Sequence, residues 1–560
     1  MAAALGRSVC PDAARGPLAT APLLPVCSAP PLPDGPCPVC PRLALEFEPW
    51  RQAGYWKALH GRALQREALL QQEIEQLRAQ LRLREQQLFG RKTETSAATT
   101  PRTTAPGSAT PPRRRGQQPG RPAPRRRNHA HLPAVVEEHT LPVAQCCCQR
   151  CGRPFAPVGG TEDATILEVE VRAHRRIIRR HRYRPTCACG ARPGVVSAPP
   201  APRLIPKSSL GVSIWVTVLL DKYLLYRPTY RLLADLRTQG LDLASGTVTD
   251  GLQRLVPLFE PVYEALAVHS RRQPLWHGDE TRWQVFATVE GKVGFRWYLW
   301  VVHAADVVVF ILAQGRAHDV PEDYLGPDAA GILVVDRYKA YQAMAQVKKG
   351  LIVLAFCWAH VRRDFVTVAR TWPDQEGWAL TWVERIGAVY RRNDARLAVR
   401  EDPAAFAVAD VRLREAVTAL GAHGEAELAE PALHPARRKV LESLGNHWTG
   451  LTVFVEHPEV PMDNNTAERA QRGPVVGRKN YYGSGAVWAG QLATMLFSLF
   501  QTLCLWELNP RAWLTAYLTA CAEAGGAVPA DVERFLPWNL SAEERRRWSL
   551  VDAKVGADTS

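Results

Sequence analysis

The stretch "GILVVDRYKAY", residues 331–341, places an apolar run directly before an acid, Asp336. A short apolar run rich in Val and Ile and bounded by polar residues predicts a buried strand. A second run of this kind, "LIVLAF" at 351–356, follows after a segment of helical composition. Two buried strands joined through a helix pair in parallel, so the sequence predicts an α/β fold with Asp336 at the carboxyl end of a strand.

Three further strand-like runs lie upstream and are separated by short turns that contain Gly or Asp. They are "WQVFATVE" (283–290), "FRWYLWVVHA" (295–304) and "VVVFILAQ" (307–314). Together with the two later strands, this meander predicts a mixed five-stranded α/β sheet. The first and fourth strands are neighbours in such a sheet. Asp279, at the front of the first run in "HGDETRW", is therefore expected to meet Asp336 at one edge.

A crowded polar stretch, "PMDNNTAERAQRGPVVGRKN" at 461–480, supplies a third acid. One interpretation is a helix start, because Asn465 can cap the first turn while Glu468, three residues later, completes a capping box. The other is that Glu468 projects toward the first two acids. The two are compatible, since Asn464 and Asn465 can cap the helix that presents Glu468. Asp463 is the rival acid, but it lies five residues earlier and is expected in a loop.

Three clustered carboxylates repel one another unless cations lie between them. A pair of magnesium ions relieves this repulsion and activates water or a 3′-hydroxyl against a phosphodiester. Asp279, Asp336 and Glu468 therefore predict a two-metal site. A basic Gly-rich loop and a strongly apolar helix, from about Ala489 to Leu508, are expected to follow Glu468 in the chain.

The chain has 560 residues, 46% hydrophobic composition and a formal charge of +15. It is long enough for several domains, and its charge favours a polyanionic partner, with nucleic acid the commonest and an acidic membrane surface the alternative. The longest apolar stretches fall short of the roughly 18 residues that span a bilayer. Because these stretches are short, a membrane span is not expected. No cationic start leads into an apolar run at the N-terminus, so a secretory signal is not expected either.

Six of the thirteen Cys lie between Cys146 and Cys189, which predicts a zinc-ribbon-like module at 129–200 in a reducing compartment. Cys148 and Cys151 have the two-residue gap of zinc ligands, and Cys187 and Cys189 would complete a four-thiolate site. The second pair is one residue short, so Cys146 or Cys147 is an alternative ligand. The N-terminal "CPVC" at 37–40 has no second pair nearby.

Composition divides the rest of the chain into five segments. Leu70, Ile74, Leu77, Leu81 and Leu88 follow a four-then-three spacing, broken at Arg84, that predicts a self-associating coiled coil; an amphipathic helix packed on its own domain is the alternative. A helix, a turn at Gly240 and a helix capped by Ser245 outline a helix-turn-helix, or an ordinary helical hairpin.

The segments are a disordered Pro-rich stretch at 1–45, the coiled-coil helix at 46–94, a basic flexible linker at 95–128, a helical DNA-binding region at 201–270 and a C-terminal helical region at 501–545.

Five motifs follow one another in an order typical of a single protein family. They are "GDET", "VVDRYKAY", "CWAHVRRDF", "MDNNTAERAQR" and "GRKNYYGSG", and the flanking "LFGRKTE", the cysteine element and "FLPWN" fit the same order. Over roughly residues 60–540 the chain resembles the DDE transposases of the insertion-sequence sixty-six family. The motifs are specific in combination rather than singly.

The resemblance implies a ribonuclease H-like catalytic domain at 271–500 that cleaves and joins DNA strands. It carries Asp279, Asp336 and Glu468 over as the ligands of magnesium. Because 132 positions separate Asp336 from Glu468, a helical insertion is expected between them, at about 365–455.

The partners that this family implies are double-stranded DNA, at the element's ends and at the target, a second copy in a dimer, and small companion proteins encoded by the same element. The expected location is the bacterial cytoplasm, at the nucleoid. Six cations around the acids are expected to hold DNA phosphates. They are Arg362, Arg363, Arg469, Arg472, Arg478 and Lys479.

Two other functions fit parts of the sequence. A DNA-binding protein derived from a transposase would keep the fold and the zinc module but perform no strand chemistry, although all three acids are present. A zinc hydrolase could use His277, Asp279 and His360, but the sequence has no paired His ligands at helical spacing.

Overall fold

The computed structural model describes residues 40–89, 136, 150–154, 171–183 and 195–549. The chain divides into two compact units, Met1–Leu88 and Phe89–Ser560. In the first unit, helix α1 runs over Cys40–Phe89, so its first residues were wrongly included in the predicted disordered segment. The seam residues Leu70, Ile74, Leu77 and Leu81 are about half exposed or more. The helix is therefore present with an unpaired apolar seam, and its pairing stays a prediction.

The second unit contains a mixed five-stranded sheet. After two short paired strands, β1 (Arg182–Tyr183) and β2 (Val196–Ser197), its strands are β3 (Leu275–Gln284), β4 (Arg296–His303), β5 (Val308–Ala313), β6 (Gly331–Val335) and β7 (Ile352–Phe356). The order is β5-β4-β3-β6-β7, with β3, β4 and β5 antiparallel and β6 and β7 parallel. The predicted sheet and the pairing of its first and fourth strands are confirmed.

The first strand of the sheet starts earlier than predicted. It begins at Leu275 rather than near Trp283, so Asp279 lies in the middle of β3 and not at its front. The polar sequence "HGDET" hides this strand from a hydrophobic pattern. Backbone pairing with β4 nevertheless covers the whole of "HGDET", and it runs from His277 opposite His303 to Gln284 opposite Arg296.

Helices precede the sheet and connect its strands. A single π-helical turn, Leu220–Leu224, extends the first of those that precede it. The helices up to β7 are α2 (Val212–Leu219), α3 (Thr229–Thr238), α4 (Ser245–Arg271), α5 (Asp319–Leu325), α6 (Lys339–Ala343) and α7 (Ala345–Lys348).

A second group of helices follows β7. Six lie between β7 and the helix that carries Glu468, and short 3₁₀ turns occur at Pro373–Gln375, Glu533–Phe535 and Pro537–Asn539. The helices are α8 (Trp358–Thr371), α9 (Glu376–Ala398), α10 (Pro403–Leu428), α11 (Pro435–Asn446), α12 (Trp448–Leu451), α13 (Val453–Glu456), α14 (Asn465–Tyr481), α15 (Val487–Leu505), α16 (Pro510–Glu523) and α17 (Ala542–Trp548).

The predicted helical hairpin is present, but the cap predicted for its second helix is wrong. Gly240 has φ +81° and closes α3, while the amide of Leu241 donates to the carbonyl of Leu236. Ser245 is the first residue of α4 and not its cap; Ala244, which has no side-chain acceptor, holds the cap position. Helix α4 is 27 residues long and one face of it is buried along its length.

Helix α15 is long and apolar enough to cross a membrane, yet 67% of its most apolar window is buried within the protein. Its hydroxyls complete the hydrogen bonding of the edge strand β5. Ser498 Oγ accepts from the amide of Phe310 at 2.8 Å, and Thr502 Oγ1 accepts from the amide of Val308 at 3.0 Å. The helix thus covers an edge that would otherwise be open to pairing with another chain.

Candidate active site

Strand register brings the first two acids side by side. Strand β3 pairs in parallel with β6 up to His277 opposite Val334. Asp279 lies two residues further along β3, and Asp336 directly follows Val335, the last residue of β6. The two acids are therefore close together at the end of β6, and after burial the charge of Asp336 is one of the causes of the raised pKa of Asp279. Asp336 Oδ1 accepts a hydrogen bond from the amide of Tyr338 at 2.9 Å.

A buried amide holds the start of α14 against this part of the sheet. Asn464 is 1% exposed, and its Nδ2 donates to the carbonyl of Gly278 at 2.7 Å. Its Oδ1 lies 3.1 Å from Nδ1 of His277. Two turns further on, Gln471 Nε2 donates to the carbonyl of Leu299 at 3.1 Å. These bonds fix α14 on β3 and β4, so that Glu468 is carried toward Asp279.

The helix start differs from the predicted capping box. The cap position is Asn464, whose side chain makes no capping bond because it is used against β3. Asn465 is the first helical residue, and its amide donates to Oδ1 of Asp463 at 3.0 Å. Asp463 thus turns the chain into α14, and Glu468 is not required for the cap.

Glu468 lies near two groups that carry positive charge when protonated. Its Oε1 is 3.6 Å from Nε2 of His360 and 3.9 Å from Nη2 of Arg363. Both are contacts at ion-pair distance, and Oε1 is buried without a hydrogen-bond partner. Glu468 therefore retains an acceptor that neighbouring side chains do not satisfy.

The electrostatic environment of Asp279 is unfavourable for a carboxylate. Burial, together with the nearby charge of Glu280, Glu468 and Asp336, raises the pKa of Asp279 to about 8. Mutual repulsion and loss of water both disfavour the charged form. The three predicted acids therefore lie within electrostatic reach of one another.

A family model described as "Transposase IS66 family" matches residues 207–492, about half of the chain, and includes all three acids. The chain belongs to the IS66 transposase family. Membership gives it a transposase-related role, with DNA as its partner. The family resemblance seen in the sequence motifs is confirmed.

Three proteins of Sinorhizobium fredii (strain NBRC 101917 / NGR234) are similar to this IS66 transposase family member. Uncharacterized protein y4jD is 28% identical over 433 residues, which are 74% of this chain and 81% of y4jD. Uncharacterized protein y4qI is 27% identical over 452 residues, covering 76% and 80%. Uncharacterized protein y4hP is 26% identical over 411 residues, covering 68% and 71%.

The predicted DNA-binding cations of this transposase family member occupy different environments. Arg363, Arg469, Arg472 and Lys479 are exposed, and Arg362 is partly buried. Arg478 is anchored on the sheet: its Nη1 donates to Thr281 Oγ1 at 3.0 Å and to the carbonyl of Arg282. Arg478 thus joins α14 to β3, whereas the exposed cations have ends that reach solvent.

The predicted basic Gly-rich loop is helical. Residues 473–481 continue α14 through Pro474, and the loop begins only at Tyr482, which has φ +65°. The glycines serve close packing: a Cβ added at Gly473 would lie 2.0 Å from the hydroxyl of Tyr226, and one at Gly477 would lie 3.1 Å from the same ring. Their spacing of four residues puts both on one helical face.

Glu280, next to Asp279, was not among the predicted site residues. Its carboxylate is 2% exposed. Arg316 Nε donates to Oε1 at 2.7 Å, and Tyr341 Oη donates to Oε2 at 2.6 Å. Burial raises the pKa of Glu280, and the hydrogen bonds from Tyr341 and Arg316 oppose the rise. The signal in the sequence is the acidic pair "DE" inside a strand, whose two members must point to opposite faces.

Metal binding at both predicted sites stays a prediction. Within the described part of the chain, no group of three or more His, Cys, Asp or Glu side chains is close enough to hold a metal ion. Cys151 is exposed and free. The other three predicted zinc ligands, Cys148, Cys187 and Cys189, lie outside the described residues, so the zinc site stays a prediction.

Proposed function

We propose that this chain is an active DDE transposase that binds the ends of its insertion sequence and catalyses strand cleavage and strand transfer. One observation carries the proposal: in a transposase family member, Asp336 and Glu468 both lie within electrostatic reach of Asp279, from adjacent elements. Neighbouring carboxylates that raise the pKa of one of their number are typical of a functional site.

The strand order supports a ribonuclease H-like catalytic domain. Three antiparallel strands are followed by two parallel ones, and α14 packs on β3 and β4 with the third acid. On this proposal the helices between β7 and α14 form the insertion that separates Glu468 from Asp336 in the chain.

The acids fit divalent cations in their chemistry. Carboxylates are the oxygen ligands that magnesium prefers, and Glu468 has a buried oxygen without a hydrogen-bond partner. Two magnesium ions held by Asp279, Asp336 and Glu468 would supply a lowered water pKa and neutralisation of the charge that develops on phosphate oxygens. Because the three carboxylates do not form a ligand group as placed, ion binding requires their side chains to move together.

The chemistry consists of two displacements at phosphorus. In cleavage, water oxygen attacks a phosphodiester at the element end, the bond from phosphorus to the 3′-oxygen breaks, and that oxygen takes a proton to become a 3′-hydroxyl. In strand transfer, this hydroxyl attacks a target phosphodiester and a new 3′-hydroxyl leaves. On this proposal the exposed Arg363, Arg469, Arg472 and Lys479 hold phosphates near the reacting bond.

Assembly and DNA-end binding are assigned to the remaining segments. Pairing of two α1 seams would join two subunits, which a reaction on two DNA ends requires. The cysteine module at 129–200 is proposed to hold one structural zinc and, with the helices at 201–270, to contact the element ends. Small companion proteins from the same element are proposed partners.

The experiment uses purified full-length protein and DNA that carries the inverted repeats flanking its gene. We expect nicking at the repeat ends with magnesium, none with a chelator, and none with Asp336→Asn. DNA carrying a scrambled end is the control for specificity. Binding of the ends by wild-type protein without any cleavage would instead assign the chain to DNA-binding proteins derived from transposases.

A further inference from the structure

A cleft of about 450 Å³ opens at Glu280, on the face of β3 opposite to that of Asp279. Three guanidinium groups, one phenol ring and three other polar side chains line it. Apart from Thr281, the lining residues are Glu280, Arg282, Gln284, Tyr298, Arg316 and Arg478.

The cleft lies where β3 extends past the end of its parallel neighbour. Pairing with β6 covers only Leu275–His277, and β6 ends at Val335. Further along, Val285 is bridged by Ser484. Between these points, in the described part of the chain, the edge of β3 has no strand beside it, and α14 contacts β3 there through Asn464, Gln471 and Arg478. Arg316, which lines the cleft, packs on the ring of Tyr338, whose amide donates to Asp336, so the cleft lies near this acid.

Two of the guanidinium groups are fixed in place by the protein. Arg316 is bound by the buried carboxylate of Glu280, and its guanidinium lies 3.9 Å from the ring centre of Tyr338. Arg478 is held by Thr281 Oγ1 and by the carbonyl of Arg282. A fixed guanidinium loses little further freedom on binding an anion, which favours binding.

The third guanidinium is close enough to the second to repel it. Burial, and then the charge of Arg282, lower the pKa of Arg478. Arg316 has Glu280 as its counter-ion, whereas Arg282 and Arg478 lie beside each other as like charges. A phosphate between them would relieve the repulsion and accept hydrogen bonds from both.

The opposite wall of the cleft can contact a base. Tyr298 lies directly across from Arg282 in the β3–β4 ladder, so both side chains point to the same face. On that face, two residues beyond Gln284, Phe286 is 48% exposed and its ring centre is 5.9 Å from that of Phe295. Arginines beside exposed aromatic rings are typical of sites for single-stranded nucleic acid.

We propose that this cleft binds one unpaired nucleotide of the DNA strand that runs past the acids, with its phosphate on Arg282 and Arg478 and its base against Tyr298. The volume suits a ligand of nucleotide size and is far too small for a double helix. The proposal rests on the proposed function for the presence of DNA at this edge. It adds that the DNA must be locally unpaired beside the reacting bond.

The test compares two DNA probes with equal numbers of phosphates, a blunt duplex of the element end and the same end with a short single-stranded overhang. Affinities are measured with full-length protein and a chelator, so cleavage plays no part. Other basic segments contact both probes alike, and the ratio of the two affinities isolates the cleft. We expect wild-type protein to prefer the overhang by about tenfold, the scale of stacking one base on an aromatic ring.

Arg282→Gln and Tyr298→Leu should each bring this ratio to about one. The control is Arg391→Gln, which removes the same charge from an exposed arginine on α9, and it should keep the wild-type ratio. A wild-type ratio near one, or a ratio unchanged in either cleft variant, would overturn the proposal. Failure of the proposed function is separate: it would appear as absent magnesium-dependent cleavage, which this metal-free ratio does not involve.

Discussion

The helical insertion and the junction of β3 with α14 both bury charged side chains, but they differ in how they pair them. At the junction Glu280 is paired with Arg316, whereas burial and three neighbouring acids raise the pKa of Asp279. In the insertion, Arg396 is 1% exposed. Its Nε lies at ion-pair distance, 2.8 Å, from Oδ1 of Asp410, although neither atom makes a hydrogen bond within the described residues, and its other nitrogens donate to the carbonyls of Phe454 and Val455 at 3.1 and 2.9 Å. Asp410 also accepts from Arg414 at 2.6 Å. Every charge in this cluster has an opposite charge beside it.

At the β3–α14 junction, several acidic side chains lie close together. Asp279 has a pKa raised to about 8 by burial and by three neighbouring acids, and an oxygen of Glu468 has no hydrogen-bond partner. The guanidinium of Arg363 is 3.9 Å from Glu468, and Nε2 of His360, whose pKa is lowered chiefly by burial, is 3.6 Å away. Paired buried charges stabilise or specify a fold, whereas unpaired ones mark a site that binds something else. Substitutions in the insertion should therefore lower the free energy of unfolding with little effect on cleavage. Substitutions of the acids at the junction should lower cleavage with little effect on the free energy of unfolding.

The largest expected effect is on cleavage, at Glu468. Glu468→Gln keeps the size of the side chain but removes a negative charge from the proposed metal site. We expect magnesium-dependent nicking of element-end DNA to fall about a thousandfold or more, a loss of about 4 kcal/mol of transition-state stabilisation. Stability in urea should be unchanged or slightly raised, since a repelling charge is removed.

Asp463→Asn is the matched control, because it removes the same charge five residues away. Asp463 turns the chain into α14 through its bond to the amide of Asn465, and Asn can accept the same bond. Cleavage should stay within about tenfold of wild type. Near-normal nicking by Glu468→Gln combined with loss of nicking in Asp463→Asn would show that the third acid is misassigned.

The next effect is on stability, in the insertion. Arg396→Met keeps an unbranched chain but removes the charge and the two bonds to the carbonyls of Phe454 and Val455. We expect the free energy of unfolding in urea to fall by about 3 kcal/mol, the lower end for a broken buried ion pair, because Asp410 keeps Arg414. At temperatures where the variant is folded, nicking should match wild type.

Arg391→Met serves as the control on the same helix. The side chain of Arg391 is 63% exposed and pairs with Glu384 at the surface. Its substitution should change the unfolding free energy by less than about 0.5 kcal/mol. Equal effects at the two positions would remove the contrast on which the comparison of the two regions depends.

The fold was predictable where hydrophobic runs are unambiguous. Residues 331–335 and 352–356 are apolar runs between polar segments, and the chain order fixed their pairing. The start of β3 was missed because "HGDET" has no apolar alternation; its strand is held by backbone pairing with β4. The Gly-rich stretch after Glu468 was read as a loop because glycine disfavours helices. Packing against Tyr226 overrides that preference at Gly473 and Gly477.

The acids were predictable from their types and places, but the groups that hold them were not. Asn464 was assigned to a helix cap, since amides before a helix usually serve there. Its real partners, His277 and Gly278, are almost two hundred residues away in the chain, and no local pattern indicates them. Likewise Glu280 could be located only once β3 was known to pass through it.

A smaller effect is expected from the residue that joins the two halves of the acid site. Asn464→Ala removes the donor to Gly278 and the partner of His277. The start of α14 is then held less firmly on the sheet, and Glu468 is positioned less accurately. We expect nicking to fall about 10- to 100-fold, with a higher magnesium concentration needed for half-maximal rate, as for residues that orient metal ligands.

The magnesium dependence separates positioning from simple loss of stability. Gln471→Ala, which removes another bond between α14 and the sheet two turns further along the helix, is the comparison variant. It should lose stability without changing the magnesium requirement. If both variants shift that requirement equally, Asn464 acts only by holding the helix.

The smallest effect concerns pH, and it asks whether the β3–α14 junction tolerates positive charge. His303 is largely buried opposite His277, and its Nδ1 has no hydrogen-bond partner. Burial, then the proximity of His277 and, more weakly, of Arg469, lower the pKa of His303 to about 4, against a small opposing contribution from the backbone at Ala304. The folded protein therefore holds this imidazole neutral.

A folded pKa below the unfolded value of 6.5 means that the unfolded chain binds the extra proton. The stabilisation is present above that unfolded pKa and is lost as pH falls toward about 4. From about pH 7 to about pH 5, His303 should account for about 1–2 kcal/mol of lost stability. His303→Gln should lose that much less in urea unfolding over the same range, whereas His457→Gln, at a histidine about half exposed and paired with Glu459, should follow wild type. Identical pH profiles for wild type and His303→Gln would mean that the junction accommodates an imidazolium, and that its unpaired acids already draw positive charge without a metal ion.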